Sequence, residues 1–144
     1  MERCLTEYRT SSPEETIALG QSLALRLKPG MVIALQGCLG AGKTCLVKGI
    51  AKGLGIAENI TSPTYTIISE YPGAIYLYHI DAYRLSSDDD FESTGAREYI
   101  GAGGITVIEW SDRIPRSIPL DAITIQIEIA GPQNRIIRIG GLEL

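Results

Sequence analysis

The eight residues Gly37-Cys38-Leu39-Gly40-Ala41-Gly42-Lys43-Thr44 constrain this chain more than any other stretch, because they satisfy the phosphate-loop pattern G-x-x-x-x-G-K-[ST] at every fixed position. The pattern has meaning only between a strand and a helix, and both flanks are present. Met31 to Gln36 is an apolar run of strand length, and Leu46, Val47, Ile50, Ala51 and Leu54 recur at helical spacing. Glycines at 37, 40 and 42 let the backbone turn its N–H groups inward around an anion, and the following helix adds its positive end. The pattern gives Lys43 the β and γ phosphates and the Thr44 hydroxyl a Mg²⁺ ion, so the expected cofactors are a nucleoside triphosphate and Mg²⁺. Cys45 follows directly, and the expected binding segment runs from Gly37 to Cys45.

The rest of the chain supplies strands and helices to surround this unit. Leu5 to Arg9 reads as a strand. Ser12-Pro13-Glu14-Glu15 reads as a helix start, with Ser12 at the N-cap, Pro13 in the first turn and Glu15 closing a capping box. Ile17, Leu19 or Gly20, Leu23, Ala24 and Leu27 give that helix an apolar face, and Lys28-Pro29-Gly30 ends it. Thr61 to Thr64 reads as an ordered polar loop, followed by a strand over Tyr65 to Tyr71, a Pro72-Gly73 turn and a return strand over Ala74 to Ile80. Residues 86–100 are acidic and weakly helical, interrupted by Gly95. Ile105 to Ile108 is a buried-strand pattern, and Asp121 to Ala130 with Arg135 to Ile139 forms a C-terminal antiparallel hairpin. The predicted architecture is a single α/β domain over 1–144, a three-layer phosphate-loop fold with a mixed sheet, parallel at its centre and carrying antiparallel hairpins.

A Mg²⁺-nucleotide site needs a carboxylate at the carboxyl end of a neighbouring strand. Asp81 and Glu109 both occupy that position, each ending an apolar run. One is expected to bind the metal and the other to orient water or sense the γ-phosphate; strand position alone does not divide these roles. His79, the single histidine, reads as structural. Arg84 suits a phosphate or a neighbouring acid such as Asp81 equally, Trp110 suits core packing or an interface, and Asp88-Asp89-Asp90 reads as a solvated helix start.

Composition sets outer limits. A net charge of −4 with no cluster of Lys or Arg lacks the basic stripe of a protein that grips nucleic acid by its phosphates. Three cysteines, Cys4, Cys38 and Cys45, have no metal-ligand spacing, and the latter two read as small tolerated side chains rather than redox sensors. No segment approaches the roughly twenty apolar residues of a membrane span, and the chain reads as cytoplasmic. No N-K-x-D segment that reads guanine occurs.

Taken together, Leu39 to Thr44, Ser62-Pro63-Thr64-Tyr65, His79-Ile80-Asp81-Ala82-Tyr83-Arg84-Leu85 and Ile108-Glu109-Trp110 resemble the four ordered signatures of the TsaE (formerly YjeE) ATPases. The departures are Cys38 where the family commonly has Asp, and Tyr65 where Phe is usual. The resemblance implies an ATPase, weak alone, required for threonylcarbamoyladenosine modification of tRNA. It implies action on a TsaB–TsaD heterodimer to support that complex's turnover, with tRNA as the pathway's substrate rather than a direct ligand. Carried over by position, it makes Lys43 and Thr44 the phosphate and Mg²⁺ ligands and Glu109 the second acid of the metal site. Asp81 becomes the acid of a switch-like segment, and Ser62 to Thr64 a loop near the γ-phosphate. A small-molecule kinase is the alternative, with Arg113 and Arg116 as a thin candidate lid.

Overall fold

A computed structural model describes residues 5–38, 40–60, 67–142 and 144. Seven strands form one sheet in the order β1-β7-β6-β2-β5-β4-β3. They are β1 (Leu5–Thr10), β2 (Val32–Gly37), β3 (Ile68–Tyr71), β4 (Leu77–Asp81), β5 (Ile105–Glu109), β6 (Ile123–Ile129) and β7 (Arg135–Gly140). The central four, β6-β2-β5-β4, run parallel, while β7 and β1 on one flank and β3 on the other are antiparallel additions. This is the mixed, parallel-centred sheet that the sequence pattern predicts.

Both faces of the sheet are covered, which explains the continuous apolar runs of its central strands. Alternation along β2 sends Ile33 and Leu35 to one core and Val32 to the other. The first core is closed by α1 (Pro13–Ala24) and α2 (Lys43–Gly53) through Leu23, Leu46, Val47 and Ile50. The second gathers Ile80, Ile108, Phe91 and Ile114 under α3 (Asp88–Ser93) and the 3₁₀ turns Ala96–Tyr99, Ser111–Arg113 and Pro115–Ser117. Helices α1 and α2 touch backbone to backbone at Gly20 and Gly49, where a Cβ on Gly49 would stand 2.1 Å from the Ile17 carbonyl oxygen.

Local signals behave as their chemistry requires, with instructive differences. Ser12 caps α1 by accepting from the Glu15 amide at 3.1 Å. The Glu15 carboxylate does not return to the Ser12 amide, as a capping box would; it accepts from the amide and hydroxyl of Ser11 at 2.7 and 2.8 Å, and these bonds hold its pKa below the usual value. Residues 73–75 are spent in a bend after Pro72, so β4 starts at Leu77 rather than Ala74 and pairs with β3 only as far as Tyr71. Gly95, at φ +76°, separates α3 from the Ala96–Tyr99 turn, as the interruption in the acidic segment suggests. No helix among the described residues is long and apolar enough to cross a membrane.

Candidate active site

The loop between β2 and α2 takes its shape from two glycines in the left-handed region, Gly40 at φ +78° and Gly42 at φ +101°. Gly42 is the N-cap of α2, which therefore begins at Lys43 itself. The contrast with the other two helices is informative. Helix α1 has a Ser12 cap with Glu14 and Glu15 in its first turn, and α3 has a Ser87 cap with three aspartates. Helix α2 has no side-chain cap and no acid in its first turn. Its leading N–H groups carry the helix's positive end with no internal anion to compensate them.

A cavity of about 310 Å³ at this helix start is lined by Gly40 to Cys45 together with Asp81, Tyr83, Glu109 and Trp110. Sheet order explains why residues so distant in sequence meet. Strands β4 and β5 are parallel neighbours in a register that pairs Asp81 with Glu109, both at carboxyl ends, and β5 lies directly beside β2. The site thus sits at the carboxyl edge of the parallel strands, where open α/β sheets bind ligands.

The predicted residues Lys43, Glu109 and Asp81 each have a defined environment. Lys43 is buried, and its ammonium donates to the Gly37 carbonyl and lies 4.0 Å over the centre of the Trp110 ring. Burial lowers its pKa, while the nearby carboxylates of Glu109 and Asp81 pull it back up. Glu109 is buried, and its carboxylate bonds to Nε2 of fully buried His79. Nδ1 of His79 is buried and has no hydrogen-bond partner among the described residues. Asp81 is half-buried, and the loss of water raises its pKa. The Tyr83 amide, donating to it at 2.9 Å, works against that rise, and Glu109 adds to it.

Oxygen ligands suit Mg²⁺, which commonly takes one or two carboxylates and completes its shell with substrate phosphates and water. Thr44, Asp81 and Glu109 lie around one cavity and offer that donor set. Leu39 and the segment Ser62 to Tyr65 lie outside the described residues, while Cys38 is exposed at the end of β2. Arg84 is exposed and forms no ion pair with Asp81 among the described residues.

Three contributions were not legible from spacing. Trp110, the one non-glycine residue with positive φ among the described residues, is held at +58°, its ring over Lys43 and packed at a tilt against Tyr83, centres 4.9 Å apart. Strain of this kind in a bulky residue costs on the order of 1–3 kcal/mol and concentrates at functional sites. Arg113 lies over both rings, 5.0 Å from the Tyr83 centre and 5.8 Å from that of Trp110. Arg135, from the far flank of the sheet, donates to carbonyls of the loop. Only the left-handed Trp110 and the bonds that cross strands bring these groups together, and neither leaves a local pattern.

A glycine loop between a central parallel strand and an uncapped helix, facing two acids on the adjoining strands, defines a phosphate-loop α/β protein. Residues 10–137 match the family described as threonylcarbamoyl adenosine biosynthesis protein TsaE. A Treponema pallidum protein named tRNA threonylcarbamoyladenosine biosynthesis protein TsaE is 43% identical over 137 residues, covering 95% of this chain and 98% of its own. The Bacillus subtilis protein of the same name is 44% identical, covering 90% of this chain and 81% of its own. The crystal structure of B. subtilis YdiB superposes with a TM-score of 0.80 at 38% identity, over 96% of this chain and 86% of that one. The chain belongs to the TsaE family.

Proposed function

We propose that this protein binds MgATP in the cavity between the 37–45 loop and the ends of β4 and β5, and hydrolyses it slowly as the ATPase component of tRNA threonylcarbamoyladenosine synthesis. The observation that carries the reading is the convergence of Lys43, Thr44, Asp81 and Glu109 around one cavity at the uncapped start of α2. The loop amides and helix start receive the phosphates, and Lys43 leaves the Trp110 ring to meet the β and γ oxygens. Phosphate charge offsets the burial that depresses the Lys43 pKa, so binding favours its protonated form. Mg²⁺ would be held by the Thr44 hydroxyl and the Glu109 carboxylate and would supply charge neutralisation there. His79 keeps Glu109 oriented from behind.

Asp81 is the acid of the responsive segment. It is less buried than Glu109, and its carboxylate already organises the Tyr83 amide, so a γ-phosphate whose negative charge repels it moves Tyr83 and, through the tilted ring contact, Trp110. Hydrolysis is slow in isolation and is accelerated by the TsaB–TsaD heterodimer, whose turnover it supports, with tRNA as the pathway's substrate.

Steady-state phosphate release tests this. Slow, Mg²⁺-dependent ATP hydrolysis, accelerated by TsaB–TsaD and lost in Lys43→Ala, is the expected result. Robust turnover without a partner overturns partner completion. Transfer of labelled γ-phosphate to a metabolite instead of water replaces the reading with a kinase.

A further inference from the structure

We infer that Arg135 is a positioning residue for nucleotide binding: its guanidinium holds the phosphate loop in its anion-receiving conformation and ties that loop to the turn at Gly131 to Asn134. The inference rests on the nucleotide-binding reading above. Arg135 opens β7, 94 residues from the loop, yet its Nε donates to the Ala41 carbonyl at 2.9 Å and its Nη2 to the Gly40 carbonyl at 3.2 Å. Its remaining arm, Nη1, donates to the Gly131 carbonyl at 3.1 Å and the Asn134 carbonyl at 2.9 Å. One side chain thus bridges two loops through four carbonyls.

The chemistry of a phosphate loop gives those bonds a purpose. For the loop's N–H groups to face an anion, its carbonyls must face away, and a carbonyl without a donor is free to turn back and spoil the cradle. Arg135 gives two of them a charged donor, the stronger class of hydrogen bond. It forms no ion pair among the described residues, so its positive charge remains available to the field at the loop. Its fork also suits the task, since a single ammonium cannot meet four carbonyls disposed on two sides. The turn it grips is independently closed by the Ala130 amide donating to Asn134 at 2.9 Å, so it serves as a firm anchor. Between turn, loop and the start of α1 lies a cavity of about 150 Å³ bordered by Arg135, Gly42 and Cys45, which makes the turn a near neighbour of any ligand extending past Cys45. An arginine that served the hairpin alone needs only the Gly131 and Asn134 bonds; the Gly40 and Ala41 bonds are surplus to that role.

The test measures MgADP and MgATP affinity by calorimetry for the full chain and for Arg135→Lys, Arg135→Gln and Lys43→Ala, with thermal unfolding of each. Hydrogen exchange of residues 40–46 and 130–135 is followed with and without MgADP. The expected result is about tenfold or greater weakening in both Arg135 variants. In the unaltered protein, nucleotide slows exchange in both segments, and in the variants the response of 130–135 disappears. Affinity within twofold of the unaltered protein in the variants, with Lys43→Ala still defective, overturns the role of Arg135 and leaves nucleotide binding standing. If neither variant folds, exchange in the unaltered protein decides: no nucleotide response at 130–135 overturns the inference, and a joint response supports it. Absence of any nucleotide binding by the unaltered protein overturns both readings together.

Discussion

Gly49→Ala tests the packing that carries the phosphate loop. An alanine Cβ there would stand 2.1 Å from the Ile17 carbonyl oxygen and 2.9 Å from the Gly20 Cα, where ordinary contact begins at 3.4 Å. Both obstacles are backbone of α1 and cannot be relieved by a rotamer change. Helix α1 must therefore withdraw by more than 1 Å, loosening Leu23 and Ala24 from the core they share with Leu46 and Ile50. Overpacking costs about 1–3 kcal/mol, and rigid backbone on both sides places this case at the upper end. Replacing a mid-helix glycine by alanine returns about 1 kcal/mol of helix propensity. A net loss of roughly 2 kcal/mol lowers the midpoint of a domain this size by about 6 °C. Circular dichroism melts and urea titrations of Gly49→Ala, with Lys48→Ala on the exposed side of the same helix as reference, measure it. A midpoint at or above that of the unaltered protein refutes the close contact of α1 with α2.

Other outcomes follow from the site and its supports. Because the folded-state pKa of Asp81 is raised, its ionised form costs stability above that pKa, and the cost fades as pH falls through it. Asp81→Asn, which keeps the acceptor for the Tyr83 amide, should raise the melting midpoint at pH 8 and lose that advantage below the normal carboxylate range; an advantage that persists at low pH contradicts the assignment. Ser12→Ala removes the cap of α1 and should cost about 1 kcal/mol in urea unfolding, and a change under 0.3 kcal/mol, well below that range, argues against the cap. Trp110 is the single tryptophan, so drawing Lys43 off its ring should change its emission on MgADP titration. The same titration of Lys43→Ala should be silent, and an identical response in both proteins rules out that contact as the reporter.

How much of the site could be read in advance depended on how local its causes are. The strand before the glycine loop, the turns at Gly40 and Gly42 and the helix after them follow from neighbouring residues, and Ser12 and Ser87 cap their helices through atoms three residues on. The same holds for the acids as strand-end residues, since the apolar runs before Asp81 and Glu109 announce where β4 and β5 stop. Glu15 shows the limit even at short range: two adjacent serines offered it donors, and the local backbone chose Ser11 over the expected Ser12.

What only the tertiary structure decided is which of these pieces touch. Asp81 and Glu109 share a cavity because β4 and β5 are parallel neighbours in one particular register, a choice made by packing over both faces of the sheet. The His79 bond to Glu109, the Lys43 ammonium on the Trp110 ring and the grip of Arg135 on the loop join residues from 30 to 95 positions apart. Sequence spacing encodes periodicity within an element, which is why the strands, helices and glycine loop were legible. It carries no record of which side chains meet across elements, because that follows from burying both faces of one sheet at once.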